Sequence, residues 1–430
     1  MEQTRNEYFL ALWIILFFLL TLFISPIIPL LRFYEILSID NLFFYTSIIL
    51  MFLYVITLMK RNKSEFKFQI NQLSFLTILL FLLILLIQLI YLLSIKHHPE
   101  YIREYYFRIF TNTFLMSSVM FFLGLNINVL NNIIKIKSIK SIVFIGFWLY
   151  VFFIFYGISI NSYLGVFGFR IYYEPEFNYL NIADSFVIYA ILTIALIQKV
   201  RNKIFVFVIA LIASFALASR TSTVFFGLSI IMYITFILFK NNKSKVVKTE
   251  VLKNIFIIIL LFIVSVFIYL NYFDITLITN SRLWNLISNG GADNSLEVRN
   301  YLLLEGIEFL KHHWLTGAFG EEVYNLGPGT YIHNWFSFLG AYGIIPFMLS
   351  LIIMVLTTVK ILKLFLSHSD SPIIDFLFVF NSFVLFSIWF SRAYTYEYIW
   401  FTLIAISLFR TVPPLERGLK SKKCYSKKDE

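Results

Sequence analysis

A histidine and an asparagine, His333 and Asn334, stand side by side where a glycine-rich polar loop gives way to a long apolar segment. Imidazole is the side chain best matched to proton exchange near neutral pH. A hydroxyl that attacks an electrophile must lose its proton, and His333 is the candidate general base for that step. The competing interpretation is structural, since a lone histidine at such a boundary usually hydrogen-bonds to a backbone carbonyl.

Arginine and lysine are distributed differently along the chain. Eight of the 13 arginines fall on the side of the predicted membrane opposite the basic loops, but only two of the 22 lysines do. Arginine is the better bidentate partner for phosphate and carboxylate groups. The excess of arginine over lysine on that side indicates an anionic substrate there. The alternative is that these arginines reach to the membrane interface or pair with acidic residues. The eight are Arg32, Arg103, Arg108, Arg170, Arg220, Arg282, Arg299 and Arg392.

The elements that must position these residues are membrane-spanning helices. The chain is 60% hydrophobic and only 14% charged, which is more apolar surface than a soluble domain can bury. About twelve apolar segments reach the length of a spanning helix. The sequence therefore predicts an all-α integral membrane protein, a polytopic bundle of about twelve transmembrane helices in a single domain, residues 1–430. The segments lie near residues 8–30, 42–59, 72–94, 107–130, 141–160, 182–198, 204–219, 222–239, 254–272, 335–359, 373–390 and 398–411.

Loop charges give the predicted orientation. With both termini in the cytoplasm, the cytoplasmic side holds 25 Lys+Arg and 9 Asp+Glu, whereas the outer side holds 10 and 15. This is the asymmetry of the positive-inside rule, so the net charge of +11 is mainly a topological signal and does not indicate nucleic acid. Residues 412–430 are a basic cytoplasmic tail that contains the single cysteine, Cys424, which excludes an internal disulfide.

The longest interruption between apolar segments, residues 273–332, is predicted to be one large structured extracytoplasmic loop. Within it, four aliphatic residues recur at helical spacing and predict an amphipathic helix with one apolar stripe. Arg299 lies off that stripe and is free to face a cavity. A glycine-rich return then leads the chain to His333. The stripe consists of Leu296, Leu303, Ile307 and Leu310.

Three stretches over roughly residues 160–345 resemble the superfamily of Wzy-type polysaccharide polymerases and O-antigen ligases. "FGFRIYYEPEFNYLNIAD" is similar to the family's arginine followed by an asparagine-containing turn, with Arg170 and either Asn178 or Asn181 as the matches. "ASRTSTVFFGLSIIMY" is similar to its hairpin with an outward arginine, here Arg220. The third is the large-loop pattern of an arginine, an amphipathic helix, a Gly-x-x-Gly return and His-Asn with a later glycine: Arg299, Gly317, Gly320, His333, Asn334 and Gly340.

The resemblance implies a glycosyltransferase of the bacterial plasma membrane whose donor is an undecaprenyl-diphosphate-linked oligosaccharide. Arg220 and Arg299 would bind the diphosphate and stabilise the charge on the leaving group. Arg282 and Arg170 would come next, binding either the diphosphate or acidic sugars. His333 would be the general base, with Asn334 orienting the acceptor or holding the loop. Arg392 either lines the same cavity or forms a salt bridge with Glu397, and the sequence favours neither.

Three functions fit the resemblance unequally. The first is a polymerase of repeat units for O-antigen, capsule or exopolysaccharide. The second is a ligase that uses the same donor with a lipid A core or a protein as acceptor. The third, a lipid-linked oligosaccharide flippase, is less favoured because the charges collect at one outer end and not in the middle of the spans.

The expected partners are the lipid-linked donor, membrane lipids, and a chain-length regulator and flippase of the same pathway, with no nucleic acid. No cofactor is expected. A metal is not needed either, because arginines can hold a diphosphate, although Glu174 and Glu176 in "YEPEF" offer a cation an alternative site.

Overall fold

The computed structural model describes residue 49 and residues 71–94, 110–160, 179–217, 219–240, 294–321, 332–367 and 371–409. All regular structure within these ranges is helical, and they contain no strand. A π-helical segment, Thr111–Leu115, precedes the second α-helix. The α-helices are α1 (Gln72–Ser94), α2 (Met116–Leu125), α3 (Ile127–Ile133), α4 (Lys137–Ile160), α5 (Tyr179–Leu196), α6 (Val200–Ala216), α7 (Arg220–Lys240), α8 (Asn294–His313), α9 (Phe336–Tyr342), α10 (Ile344–Ser367), α11 (Pro372–Phe390) and α12 (Tyr398–Leu408).

Four of these helices contain stretches long and apolar enough to cross a bilayer: Gln72–Leu93, Lys137–Phe155, Ile344–Ser367 and Pro372–Phe390. Shorter apolar stretches lie in Thr113–Leu125, Ala183–Leu196, Thr221–Ile237 and Tyr398–Leu408. The all-α membrane class is thus confirmed, while the number of spans stays a prediction. The predicted spans 8–30 and 254–272, the tail 412–430 and, apart from residue 49, the predicted span 42–59 lie outside the described residues.

Two predicted spans are interrupted. The segment 107–130 is divided at Asn126, which ends α2 and whose side-chain amide donates to the carbonyl of Phe122 at 2.9 Å. The segment 335–359 is divided at Gly343, whose φ of 80° is outside the helical region. A short helix, α9, therefore comes before the long helix α10, and apolar composition alone gave no sign of either break.

The centre of the bundle is formed by α11 and α12. Of the apolar stretch of α11, 78% is buried inside the protein, against 28% for α1 and 39% for α10. All residues of α12 are buried. Gly124 of α2 allows α12 to approach closely, since a Cβ atom there would lie 2.3 Å from Ile404 Cγ2 and 2.8 Å from the carbonyl oxygen of Phe401. The outer helices α1 and α10 keep one apolar face exposed, as helices in lipid do.

A buried ion pair ties α6, α7 and α11 together near the beginning of α11. The Nζ atom of Lys203 donates to Asp375 Oδ2 at 2.8 Å and to the Tyr233 hydroxyl at 2.6 Å. Tyr233 in turn donates to Asp375 Oδ2 at 2.6 Å. Because each charge has a partner and a further hydrogen bond, the cluster can stay buried. It fixes this end of the bundle, which the loop charges assign to the cytoplasm.

Candidate functional site

The loop that leaves α8 is held against the beginning of α10 by backbone hydrogen bonds. The amide of Ala318 donates to the carbonyl of Gly340 at 2.8 Å, and the amide of Ile344 donates to Leu315 at 3.3 Å. Gly317 and Gly343 both have positive φ, 72° and 80°. We call Gly317, Gly340, Gly343 and the two segments that they join the glycine clasp.

At Gly317 and Gly343 a side chain cannot be added without moving backbone atoms. A Cβ atom on Gly317 would lie 2.5 Å from the amide nitrogen of Gly343, and one on Gly343 would lie 2.6 Å from the carbonyl oxygen of Leu315. At Gly340 the nearest atoms belong to the side chains of Leu310 and Phe309, at 3.3 Å. The glycines therefore allow α8 and its return to pack directly on α9.

The contact face of α8 differs from the predicted stripe. Leu302 is 6% exposed and Gly306 is buried, whereas Leu303 and Ile307 are 37% and 46% exposed. The predicted helix is confirmed, and Leu310 of the predicted stripe packs at Gly340 of α9, whereas Leu303 and Ile307 lie outside the packing face. Spacing identified the apolar positions and could not indicate what covers them.

Aromatic and amide groups join the clasp to α1. The hydroxyl of Tyr91 donates to the carbonyl of Gly317 at 3.0 Å, and Gln88 Nε2 donates to the Tyr342 hydroxyl at 2.7 Å. The ring of Phe319 lies 5.7 Å from those of Tyr342 and Tyr394, a distance typical of favourable aromatic pairs. The clasp is consequently anchored on the spanning part of the protein.

His333 and Asn334 lie in the turn that precedes α9. The side-chain Oδ1 of Asn334 accepts from the amide of Phe336 at 3.0 Å, and its carbonyl accepts from Ser337 Oγ at 2.7 Å. Asn334 thus holds this turn, one of the two roles predicted for it. The next residue, Trp335, is fully buried and donates to Ser350 Oγ at 3.1 Å. His333 is half-buried, on a turn that Asn334 and Trp335 hold on its C-terminal side.

A second polar group, the Arg392 cluster, joins α5, α7 and the end of α11. Arg392 donates through Nε to Asp184 Oδ2 and through Nη2 to Asp184 Oδ1, both at 2.9 Å. Its Nη2 also donates to Ser222 Oγ at 3.2 Å, and its Nη1 to Ser391 Oγ at 3.0 Å. Ser222 donates to Asp184 Oδ1, and the Oγ atoms of Ser219 and Ser222 lie 2.6 Å apart.

The cluster is almost wholly buried. Asp184 is 1% exposed and Arg392 is 9% exposed, and the pair is bidentate. Burying a charge is strongly unfavourable unless the charge is paired and hydrogen-bonded, and both charges of this pair are. For Arg392 the sequence left open a cavity-lining role or a salt bridge with Glu397. In the structure Arg392 forms a salt bridge with Asp184. Arg392 therefore links α5 and α7 to the end of α11.

Sequence reasoning missed Asp184. It stands near the beginning of a long apolar segment, and an ionisable residue at such a place is by default a functional or structural signal. Its partner could not be identified, because Asp184 and Arg392 are 208 residues apart in the chain.

The two groups meet at one end of the bundle. Ser337 of α9 accepts from the amide of Tyr394, which lies two residues beyond Arg392. Arg220 is the first residue of α7, between the two serines of the Arg392 cluster. The beginning of α7, the end of α11 and the His333 turn are thus adjacent. In the orientation predicted from the loop charges, all three lie on the outer side of the membrane.

Of the other predicted site residues, the structure describes the helix position of one. Arg299 lies in the second turn of α8, the helix that the glycine clasp secures. Arg170 and Arg282 lie outside the described residues, as do Glu174 and Glu176. In the described ranges, no three His, Cys, Asp or Glu side chains are grouped as ligands for a metal ion.

Glu397 adds a titratable group beside the Arg392 cluster, in the connection between α11 and α12. Desolvation raises the pKa of its carboxyl from 4.5 to about 7, and the negative charge of Asp184 acts in the same direction. The neighbouring Tyr396 ring lies 6.0 Å from Cζ of Arg392. Its buried hydroxyl has no hydrogen-bond partner in the described part of the chain.

A pH dependence of stability follows from Glu397. Because the folded protein keeps a proton that the unfolded chain releases between pH 4.5 and about 7, stability should fall as pH rises through that window. Glu397→Gln should weaken this dependence, as measured by the thermal midpoint in detergent across the same window. Glu308→Gln, on an exposed side chain of α8, is the control and should keep the parent's profile. An unchanged profile in Glu397→Gln would contradict the assignment.

The chain matches no protein-family model and no curated protein. The likeness to polymerases and ligases accordingly depends on the three sequence stretches alone.

Proposed function

We propose that the protein is a polymerase of lipid-linked oligosaccharide repeat units for a surface polysaccharide. It transfers the glycan from undecaprenyl diphosphate to a sugar hydroxyl on the outer face of a bacterial plasma membrane, which it crosses about twelve times with both termini in the cytoplasm. A flippase and a chain-length regulator of the same pathway are its proposed partners.

One observation carries the proposal. Three stretches that resemble one family, far apart in sequence, have their described parts at a single end of the bundle. The glycine clasp joins α8 to α9, the Ser337–Tyr394 hydrogen bond of 2.9 Å joins α9 to the end of α11, and Ser222 joins that end to the beginning of α7. These contacts between the three segments support a shared site at this end of the bundle.

The reaction proceeds by a single displacement at the anomeric carbon. The acceptor hydroxyl oxygen forms the new glycosidic bond, and its proton passes to the imidazole of His333. The bond between the anomeric carbon and the diphosphate oxygen breaks, and its electron pair leaves with undecaprenyl diphosphate. Arg220 and Arg299, helped by Arg170 and Arg282, stabilise the added charge on that leaving group.

Asn334 and Arg392 have supporting roles in this scheme. Asn334 holds the turn that carries His333, because its side chain accepts from the amide of Phe336 at 3.0 Å. Arg392 holds the beginning of α7 through Ser222, and Arg220 with it. Both are positioning residues.

The test is His333→Ala, examined in cells at matched membrane abundance. Loss of a general base reduces rates by about a hundred- to ten-thousand-fold, so we expect the ladder of polysaccharide lengths on a gel to collapse to single repeat units. The matched control is His312→Ala, which removes an exposed imidazole from α8 and should leave the ladder intact.

Other outcomes separate the alternatives. Long lipid-linked polymer that accumulates without reaching its final acceptor would identify a ligase. Repeat units that remain on the cytoplasmic side would identify a flippase. An unchanged ladder at normal abundance would make His333 a structural residue.

A further inference from the structure

An apolar surface on α8 and its return is left uncovered by the described part of the chain. Leu304 is 68% exposed, Ile307 46%, Trp314 48% and Leu315 58%. The opposite side of the same helix packs on α9 at Gly340. We call these four residues the α8 surface. In water their exposure would be unfavourable by about 25 cal/mol for each square ångström of apolar area.

The α8 helix has three sectors around its axis. At 3.6 residues per turn, Leu302, Gly306 and Phe309 share the side that faces α9. Glu305, Glu308 and His312 share a polar side. Ile307 and Leu304 lie between these two sectors, and Lys311 projects from between them. Lys311 is ion-paired with Glu308, towards the polar side. This arrangement is typical of a helix that lies in the plane of a membrane interface.

The α8 surface is continuous with the lipid-facing side of a candidate spanning helix. The carbonyl of Leu315 accepts from the amide of Ile344, the first residue of α10, at 3.3 Å. From that point α10 exposes Ile345 by 71% and Met348 by 48%. Trp314 stands at the junction, and tryptophan is enriched where a bilayer meets water.

We propose that α8 is an interfacial helix whose exposed apolar surface lies in the bilayer leaflet at the α9 end of the bundle. Its partner is the lipid itself. Lipid is favoured over a protein partner because the surface continues without a break into a helix that must face acyl chains.

If the proposed function is correct, the interfacial position of α8 also sets the depth at which Arg299 meets the substrate. Arg299 lies on the same helix and would be held at the depth of the lipid phosphates. A diphosphate on a membrane-borne carrier lies at that depth, so the substrate would not have to leave the bilayer to reach the arginine.

Spin labels on the full chain in nanodiscs of phosphatidylethanolamine and phosphatidylglycerol test the proposal. Labels go on Leu304→Cys and Ile307→Cys, with Cys424→Ser as the background. Ile345→Cys on α10 is the lipid control, and His312→Cys is the water control. Power saturation compares collisions with oxygen, which concentrates in lipid, and with a polar nickel chelate, which stays in water.

We expect the labels at 304 and 307 to favour oxygen, as the label at 345 does, and the label at 312 to favour nickel. Preference for nickel at 304 and 307 would overturn the proposal. Protection from both reagents would overturn it as well, since a protein surface or a second copy would then cover α8. The measurement requires no activity, so its result is independent of the proposed reaction.

Discussion

Asp184→Asn destabilises the protein by about 3–5 kcal/mol, the usual effect of leaving a buried charge without its partner. Arg392 is 9% exposed and loses the carboxylate that accepts from both Nε and Nη2. Three helices depend on that carboxylate, since Ser222 of α7 also donates to it. The measurement is the free energy of unfolding in mixed detergent micelles, with helicity as the readout.

The control for this prediction is an exposed ion pair. Lys311→Ala removes the partner of Glu308 on the surface of α8, where both side chains are at least 60% exposed. Such pairs contribute about 0–1 kcal/mol. If Asp184→Asn costs no more than Lys311→Ala, the Arg392 cluster does not hold the three helices together.

Arg392→Lys tests whether the Arg392 cluster needs only a positive charge or also the geometry of the guanidinium group. Lysine keeps the positive charge but cannot reproduce the bidentate contact with Asp184 or reach Ser391 and Ser222 at once. We expect folded protein with a lower yield than the parent. Under the proposed function, its rate of polymerisation should fall because the beginning of α7, with Arg220, is held less firmly.

The parts of the fold that sequence predicted well are those set by length and composition. The segments 72–94 and 373–390 became α1 (Gln72–Ser94) and α11 (Pro372–Phe390), nearly residue for residue. A long apolar run in lipid satisfies its backbone groups by forming a helix, so length and composition predict that helix wherever no contact with another segment interrupts it.

The features of the fold that the sequence could not predict depend on contacts with a different segment of the chain. Gly343, with its positive φ, interrupts an apolar segment that composition alone predicts to be one continuous helix. The interruption allows the close contact with Gly317, which belongs to a different segment. The apolar positions of α8 were identified correctly, but spacing cannot distinguish a face covered by protein from one left exposed. Likewise the charge of Asp184 was visible in the sequence, and its bond to Arg392 was not.

Gly317→Ala and Gly343→Ala each open the glycine clasp. The left-handed backbone costs a non-glycine residue about 1–2 kcal/mol, and the overpacking adds about 1–3 kcal/mol. The added methyl group has no way to relax, because at both positions its nearest neighbours are backbone atoms, at 2.5 and 2.6 Å. We expect losses of about 2–5 kcal/mol, read from the same unfolding measurement.

Gly227→Ala is the matched control. Gly227 lies inside α7, and its added methyl group would meet only Leu211 Cδ1, at 3.9 Å. Alanine there should be neutral or should stabilise by up to about 1 kcal/mol, because it is the better helix former. Equal effects at positions 227 and 317 would mean that α8 does not depend on the clasp. If the clasp variants fold but lose polymer, while Gly227→Ala keeps both, the attachment of α8 to the His333 turn is needed for the chemistry itself.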